Sequence, residues 1–449
     1  MQSKFRSARP AAAIGHIILI SCSLAALSAC GGKKIKSTTP VLGNRTSILG
    51  TNQAITVDPS VASLPVTLPP AEANADWAQP GGNAAKAMGH LALGKNKQEI
   101  WSQSIAGGGK RERLASPPVV SGGRLYVIGT DAQVHAFNAA TGAPIWTARV
   151  ESEGDNSKAQ FGGGVSVAGD RVYVTTGMGD VAALSTADGK QIWKVRPGGP
   201  LRGSATLNNG HVYVMSQDNQ IYALSQEDGS VVWTEGGTVE TTAIFGVAAP
   251  AADQGTVIAG FSSGELTAYR YENGRVLWGD ALSRTSISTS VAALTDIDAD
   301  PVIDRGRVFA IGQGGRMASY ELVSGQRLWE INIAGIATPA VAGDWIYVVT
   351  DAGRLLCVER ATGKIRWISQ LKAWENEEKK SGSIRWHGPV LAGEQLYLVS
   401  TDGEIVTVNP TDGVISSTRD MDRAMSLPPV VAGGILYILT DDGRLVAYK

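Results

Sequence analysis

The chain has 449 residues and a formal net charge of -1, so its charge balance gives no argument for a nucleic-acid partner, while 43% hydrophobic content can fill a large core. Its 54 glycines against 6 phenylalanines point to frequent tight turns between short strands, because glycine reaches positive φ without steric cost. An all-β fold is expected.

The N-terminus reads as a processing signal. Lys4, Arg6 and Arg9 precede a largely apolar stretch from Ala11 to Ala26, which is short for a membrane span. The run Leu27-Ser28-Ala29-Cys30 that follows resembles the lipobox of bacterial lipoproteins. That resemblance implies a signal peptide over 1–29 and lipid, palmitate included, on Cys30 as the first mature residue. With Gly31 and not Asp after the cysteine, it further implies the outer membrane, facing the periplasm. The alternative is an ordinary secretory signal with an incidental cysteine. Residues 30–75 are rich in Thr, Ser, Pro, Ala and Asn, a composition that does not offset its own ordering entropy, and read as a flexible tether.

From 76 to 449 the chain repeats itself. A strand such as RLYVIG, a polar turn, a second strand ending near a small residue, a Gly turn and a strand carrying Trp recur eight times, counting the incomplete last copy. The small residue precedes the Trp by ten places: Ala136 and Trp146, Ala183 and Trp193, Ala223 and Trp233, Ala268 and Trp278, Ser319 and Trp329, Cys357 and Trp367. A glycine stands four places before each of these tryptophans. The spacing predicts that each indole lies against a neighbouring strand where only a small side chain leaves room. The seventh copy has Thr407 and Ser417 at these places, so docking should be weaker there. The eighth stops at Lys449 with its small residue Ala447 but no Trp strand, while an orphan strand around Trp101 precedes the first copy. An eight-bladed β-propeller, closed by that N-terminal strand, accounts for both and leaves no open edge.

Few constellations carry chemistry. The stretch from Asp296 begins like a calcium loop, but Pro301 stands at the required Gly and Arg307 at the required Glu. The five histidines are scattered; His211 and His387 are expected at turns or strand edges. No serine sits in a nucleophile elbow. Cys357, at a small docking position, is expected to be a buried structural thiol. The run from Glu375 to Lys380 reads as a solvated loop.

The repeat resembles the tryptophan-docking repeat of quinoprotein propellers. A dehydrogenase holding pyrroloquinoline quinone and calcium would be the enzymatic reading, but the adjacent cysteines that this resemblance implies are missing. Lipobox, tether and docking propeller together are similar to the BamB family, lipoprotein subunits of the outer-membrane β-barrel assembly machinery. The resemblance implies a non-enzymatic scaffold with no cofactor. Its partners would be the POTRA domains of a BamA-like barrel subunit, nascent outer-membrane proteins and, through the lipid, the membrane. It also implies partner-binding residues: Asp296 and Asp298 in an acidic segment before the fifth repeat, and Ile244, Phe245 and Gly246, where the family has a Leu-Arg-Gly turn. The long connections place these residues on one rim of the ring. Another lipid-anchored periplasmic propeller, binding peptide or cell wall, remains the alternative.

Overall fold

A computed structural model describes residues 55–95, 97–109, 112–152, 162–238, 248–282 and 295–449. Among them the strands form eight four-stranded antiparallel sheets and one added two-stranded hairpin. Seven of these sheets are each one repeat, with its strands in sequence order from the ring's axis outward, as in Val119–Ser121, Arg124–Ile128, Gln133–Asn138 and Pro144–Arg149. Alternation sets the orientation: strands such as Arg124–Ile128 are almost wholly buried, whereas the outer strands bury the Trp position and expose their flanks.

The last blade is closed as the orphan strand predicts. Glu99–Ser104 pairs antiparallel with Arg444–Tyr448, Trp101 stands opposite Ala447, and the backbones of Gln98 and Lys449 exchange two hydrogen bonds of 3.0 Å. In every full copy the small residue and the Trp position are direct register partners, from Ala136 opposite Trp146 to Thr407 opposite Ser417.

The docking itself reaches further than the spacing shows. Each indole also lies on the glycine turn of the next blade: Trp101 on Gly142, Trp146 on Gly189, Trp193 on Gly229, Trp233 on Gly274, Trp278 on Gly325, Trp329 on Gly363 and Trp367 on Gly413. These glycines have φ near +70 to +77°, and a Cβ on any of them would stand 2.3 to 2.7 Å from the nearest ring carbon or, at Gly274, 2.8 Å. Each indole N–H donates to a carbonyl three residues before that glycine, as Trp101 does to Ala139 at 3.1 Å and Trp367 to Pro410 at 3.0 Å. The tryptophans are therefore bolts between blades, and the hydrophobic clusters sit at the same seams. The seventh seam has no bolt: Ser417 bonds to Thr407 in its own sheet, 2.7 Å between hydroxyl oxygens.

Residues 55–75, expected as part of the tether, are tied to the propeller. Asp58 N–H donates to the Ile365 carbonyl at 2.9 Å, and Val61 is buried. The chain then crosses the ring on the face of the turns between first and second strands. Its carbonyls accept from the inner strands, or the turns just after them, of six blades: Trp77 from Val120, Ala78 from Val167, Ala84 from Ala252, Ala85 from Ile303, Leu91 from Gly393, Asn74 from Gly433. This irregular segment plugs the axis by satisfying backbone groups that the inner strands leave unpaired.

Candidate functional site

Above the plug lies a central cavity of about 1080 Å³. Trp77, Met88 and Leu91 of the plug and Val341 and Leu427 of inner strands and their leads give it apolar walls, while charged residues such as Arg113, Arg423 and Asp441 lie toward its mouth. The acidic segment before the fifth blade feeds this cavity. Asp298 and Asp300 line it, and Asp296, Asp298 and Asp300 are 1%, 8% and 9% exposed.

The rim position expected for Asp296 and Asp298 is therefore replaced by burial. Arg202, itself 2% exposed, donates through Nη2 to Asp298 Oδ1 at 3.1 Å, and Gln313 Nε2 donates to Oδ2 at 3.1 Å. The pair links the segment leading into the third blade to the one leading into the fifth. Burial pushes the Asp298 carboxyl up to about 6, against the opposing pull of Arg202. A second polar knot lies beside it. Lys86 of the plug donates to the Pro80 carbonyl and to Thr206 Oγ1, both at 2.9 Å, and burial lowers its ammonium to about 8 with Asp300 acting the other way. Asp300, raised by burial, accepts from the Ala249 N–H at 2.7 Å. These contacts offset part of the cost of charges in an apolar interior, while Arg202 Nη1 stays without a hydrogen-bond partner among the described residues.

Sequence reasoning missed Arg202, Lys86 and Asp300. The Pro200–Gly203 run was a visible signal for Arg202, and Asp300 continues the two-residue alternation of Asp296 and Asp298. Ile244, Phe245, Gly246 and Cys30 lie outside the described residues. His387 sits within the inner strand Trp386–Ala392, not at its edge; burial lowers its imidazole to about 4. Cys357 is buried opposite Trp367 with its thiol pushed up by burial, as a structural thiol would be. Glu375 to Lys380 forms the exposed tip of the added hairpin, Trp374–Asn376 with Ser381–Ser383. Among the described residues no cluster of His, Cys, Asp or Glu could hold a metal ion, and no helix is long and apolar enough to cross a membrane.

A family model for outer membrane protein assembly factor BamB matches residues 87–157, 152–369 and 371–449, which together span nearly the whole ring. The chain belongs to the BamB family. Among BamB relatives, that of Vibrio cholerae is 35% identical over 252 residues, covering 56% of this chain and 64% of the relative. That of Moranella endobia is 25% identical over 339 residues, covering 74% and 85%. The crystal structure of BamB from Moraxella catarrhalis superposes with a TM-score of 0.65 at 19% identity, over 79% of this chain and all of that one. Quinohemoprotein alcohol dehydrogenase from Comamonas testosteroni gives the same TM-score at 14% identity, over 83% and 80%. Both likenesses speak for the propeller fold alone.

Proposed function

We propose that this chain is a lipid-anchored, non-enzymatic scaffold of outer-membrane protein assembly, held by Cys30 on the periplasmic side of the outer membrane and binding the POTRA domains of a BamA-like barrel subunit. The observation that carries the reading is the family match along the ring, from 87 to 449. The plugged axis and bolted seams suit a rigid surface that presents loops. The partner rim is the one bearing the turns between second and third strands and the long connections, around Ile244, Phe245 and Gly246. Asp298 contributes from beneath it through its buried pair with Arg202, and Asp296 is buried in the same segment, so neither acts as an exposed contact.

Affinity capture from solubilised membranes tests this. The wild-type chain should retain the barrel subunit, and Ile244→Asp with Phe245→Asp should weaken capture while the melting temperature holds, because two charges would enter an apolar contact. A folded, membrane-attached chain that captures peptide or cell-wall material and no barrel subunit would overturn the assignment.

A further inference from the structure

The seam between the seventh and eighth blades differs from the other seven. Seven indoles dock on a neighbouring glycine turn, but Ser417 replaces the indole here, and the eighth blade has Lys449 and the start of the closing strand at Gln98 in place of that turn. In six blades an aromatic ring of the second strand packs against the blade's own indole, as Tyr347 does on Trp367 at 6.0 Å between centroids and Tyr437 on Trp101 at 5.9 Å. Tyr397 holds this place in the seventh blade, facing Thr407 and then Ser417 along the sheet.

The result is a cleft of about 740 Å³ with Tyr397, Ile405, Leu436 and Tyr448 among its walls. Its charged lining is Lys95, Lys97 and Arg419 against Glu394. Lys97 Nζ lies 5.9 Å from the Tyr397 ring centroid and makes no hydrogen bond among the described residues. Burial lowers its pKa, as expected of a cation short of a partner. Arg419 stacks over Tyr448 at 5.1 Å and donates to the Lys97 carbonyl at 3.0 Å. Two cations thus rest on two aromatic faces where the other seams hold an indole.

We propose that this cleft binds an aromatic side chain of a partner protein that stands beside a carboxylate, the ring filling the eighth docking position and the carboxylate meeting Lys97 and Arg419. The seven internal seams show what the geometry accepts, and the excess of basic groups selects an acidic neighbour over a basic one.

The test uses the detergent-solubilised full chain and 5-fluoro-N-acetyl-L-tryptophan, followed by fluorine NMR of the ligand. Saturable binding is expected, weaker by about tenfold for the neutral amide analogue and for the Lys97→Glu variant. Ser417→Trp, which supplies an internal ring, should abolish it and raise the melting temperature. Absence of saturable binding, or binding untouched by both variants, would overturn the proposal. Tighter binding of free L-tryptophan than of its N-acetyl form would overturn the protein source of the ring. If Ser417→Trp does not fold, the Lys97→Glu comparison decides alone. No assembly partner enters the assay, so its failure leaves the scaffold assignment untouched.

Discussion

Asp298 and Arg202 make a prediction about acid and base. Because burial raises the Asp298 carboxyl from its ordinary 3.8 to about 6, the folded state binds a proton there more tightly than the unfolded chain. Its contribution to stability is full below about pH 4 and is lost as pH rises through about 6. Urea midpoints of wild type should therefore fall across that window more steeply than those of Asp298→Asn; parallel slopes would show the carboxylate already ionised. Glycine 363 offers a cleaner comparison. Gly363 and Gly210 share a φ of +75°, but a Cβ at Gly363 would meet the Trp329 ring at 2.7 Å, whereas one at Gly210 has nothing within 4 Å. Both alanine variants pay about 1 kcal/mol of backbone strain, and Gly363→Ala should lose roughly 1–3 kcal/mol more from the displaced indole, read by chemical denaturation. The Gly and Trp positions were visible in the repeat. That they serve adjacent blades was not, because spacing along one chain reports register within a sheet and is silent on which sheet lies across the gap.

At the level of elements, the plug and the closing strand stabilise the ring differently, and truncation separates them. Removing residues before 55 should leave the melting temperature unchanged. Starting at 93 removes the carbonyls that Val120, Val167, Ala252 and Ile303 use, together with buried Trp77, and should lower it. Starting at 105 also removes Trp101 and exposes the edge of Arg444–Tyr448, which should lower it further and promote aggregation, since loss of one buried Trp alone costs about 3–5 kcal/mol. Equal melting temperatures for the last two would refute the closure argument. The closing strand was legible because its missing partner could be counted. The plug was not: it has neither the two-residue alternation of a strand nor a helical period, and Gly81, Gly82 and Ala84 to Ala87 give no apolar pattern apart from Lys86. The burial of Asp296 and Asp298 was hidden for a related reason. A carboxylate is ordinarily exposed, and its distant partner Arg202 lies 96 residues away in sequence.

For the whole molecule, Cys30→Ser should yield a folded chain released from the membrane, because the lipid is the anchor that the lipobox implies; among the described residues no helix is long and apolar enough to cross a membrane. Salt-resistant attachment of that variant in cells without its partners would refute lipid anchorage. If the lipid does hold the chain, a pull from the N-terminal side meets, among the described residues, Ile55 packed on the core cluster that holds Ile365 and Asp58 bonded to the outer strand Ile365–Gln370 of the sixth blade, and then runs along the plug. The closing strand begins only at Glu99. Under tension the plug would peel away bond by bond, lengthening by the excess of its extended contour, at most roughly 150 Å, over its folded span before the closing sheet bears load. The segment is placed to act as a mechanical fuse, and single-molecule stretching from the N-terminus should show that early, reversible lengthening ahead of the rupture of the ring.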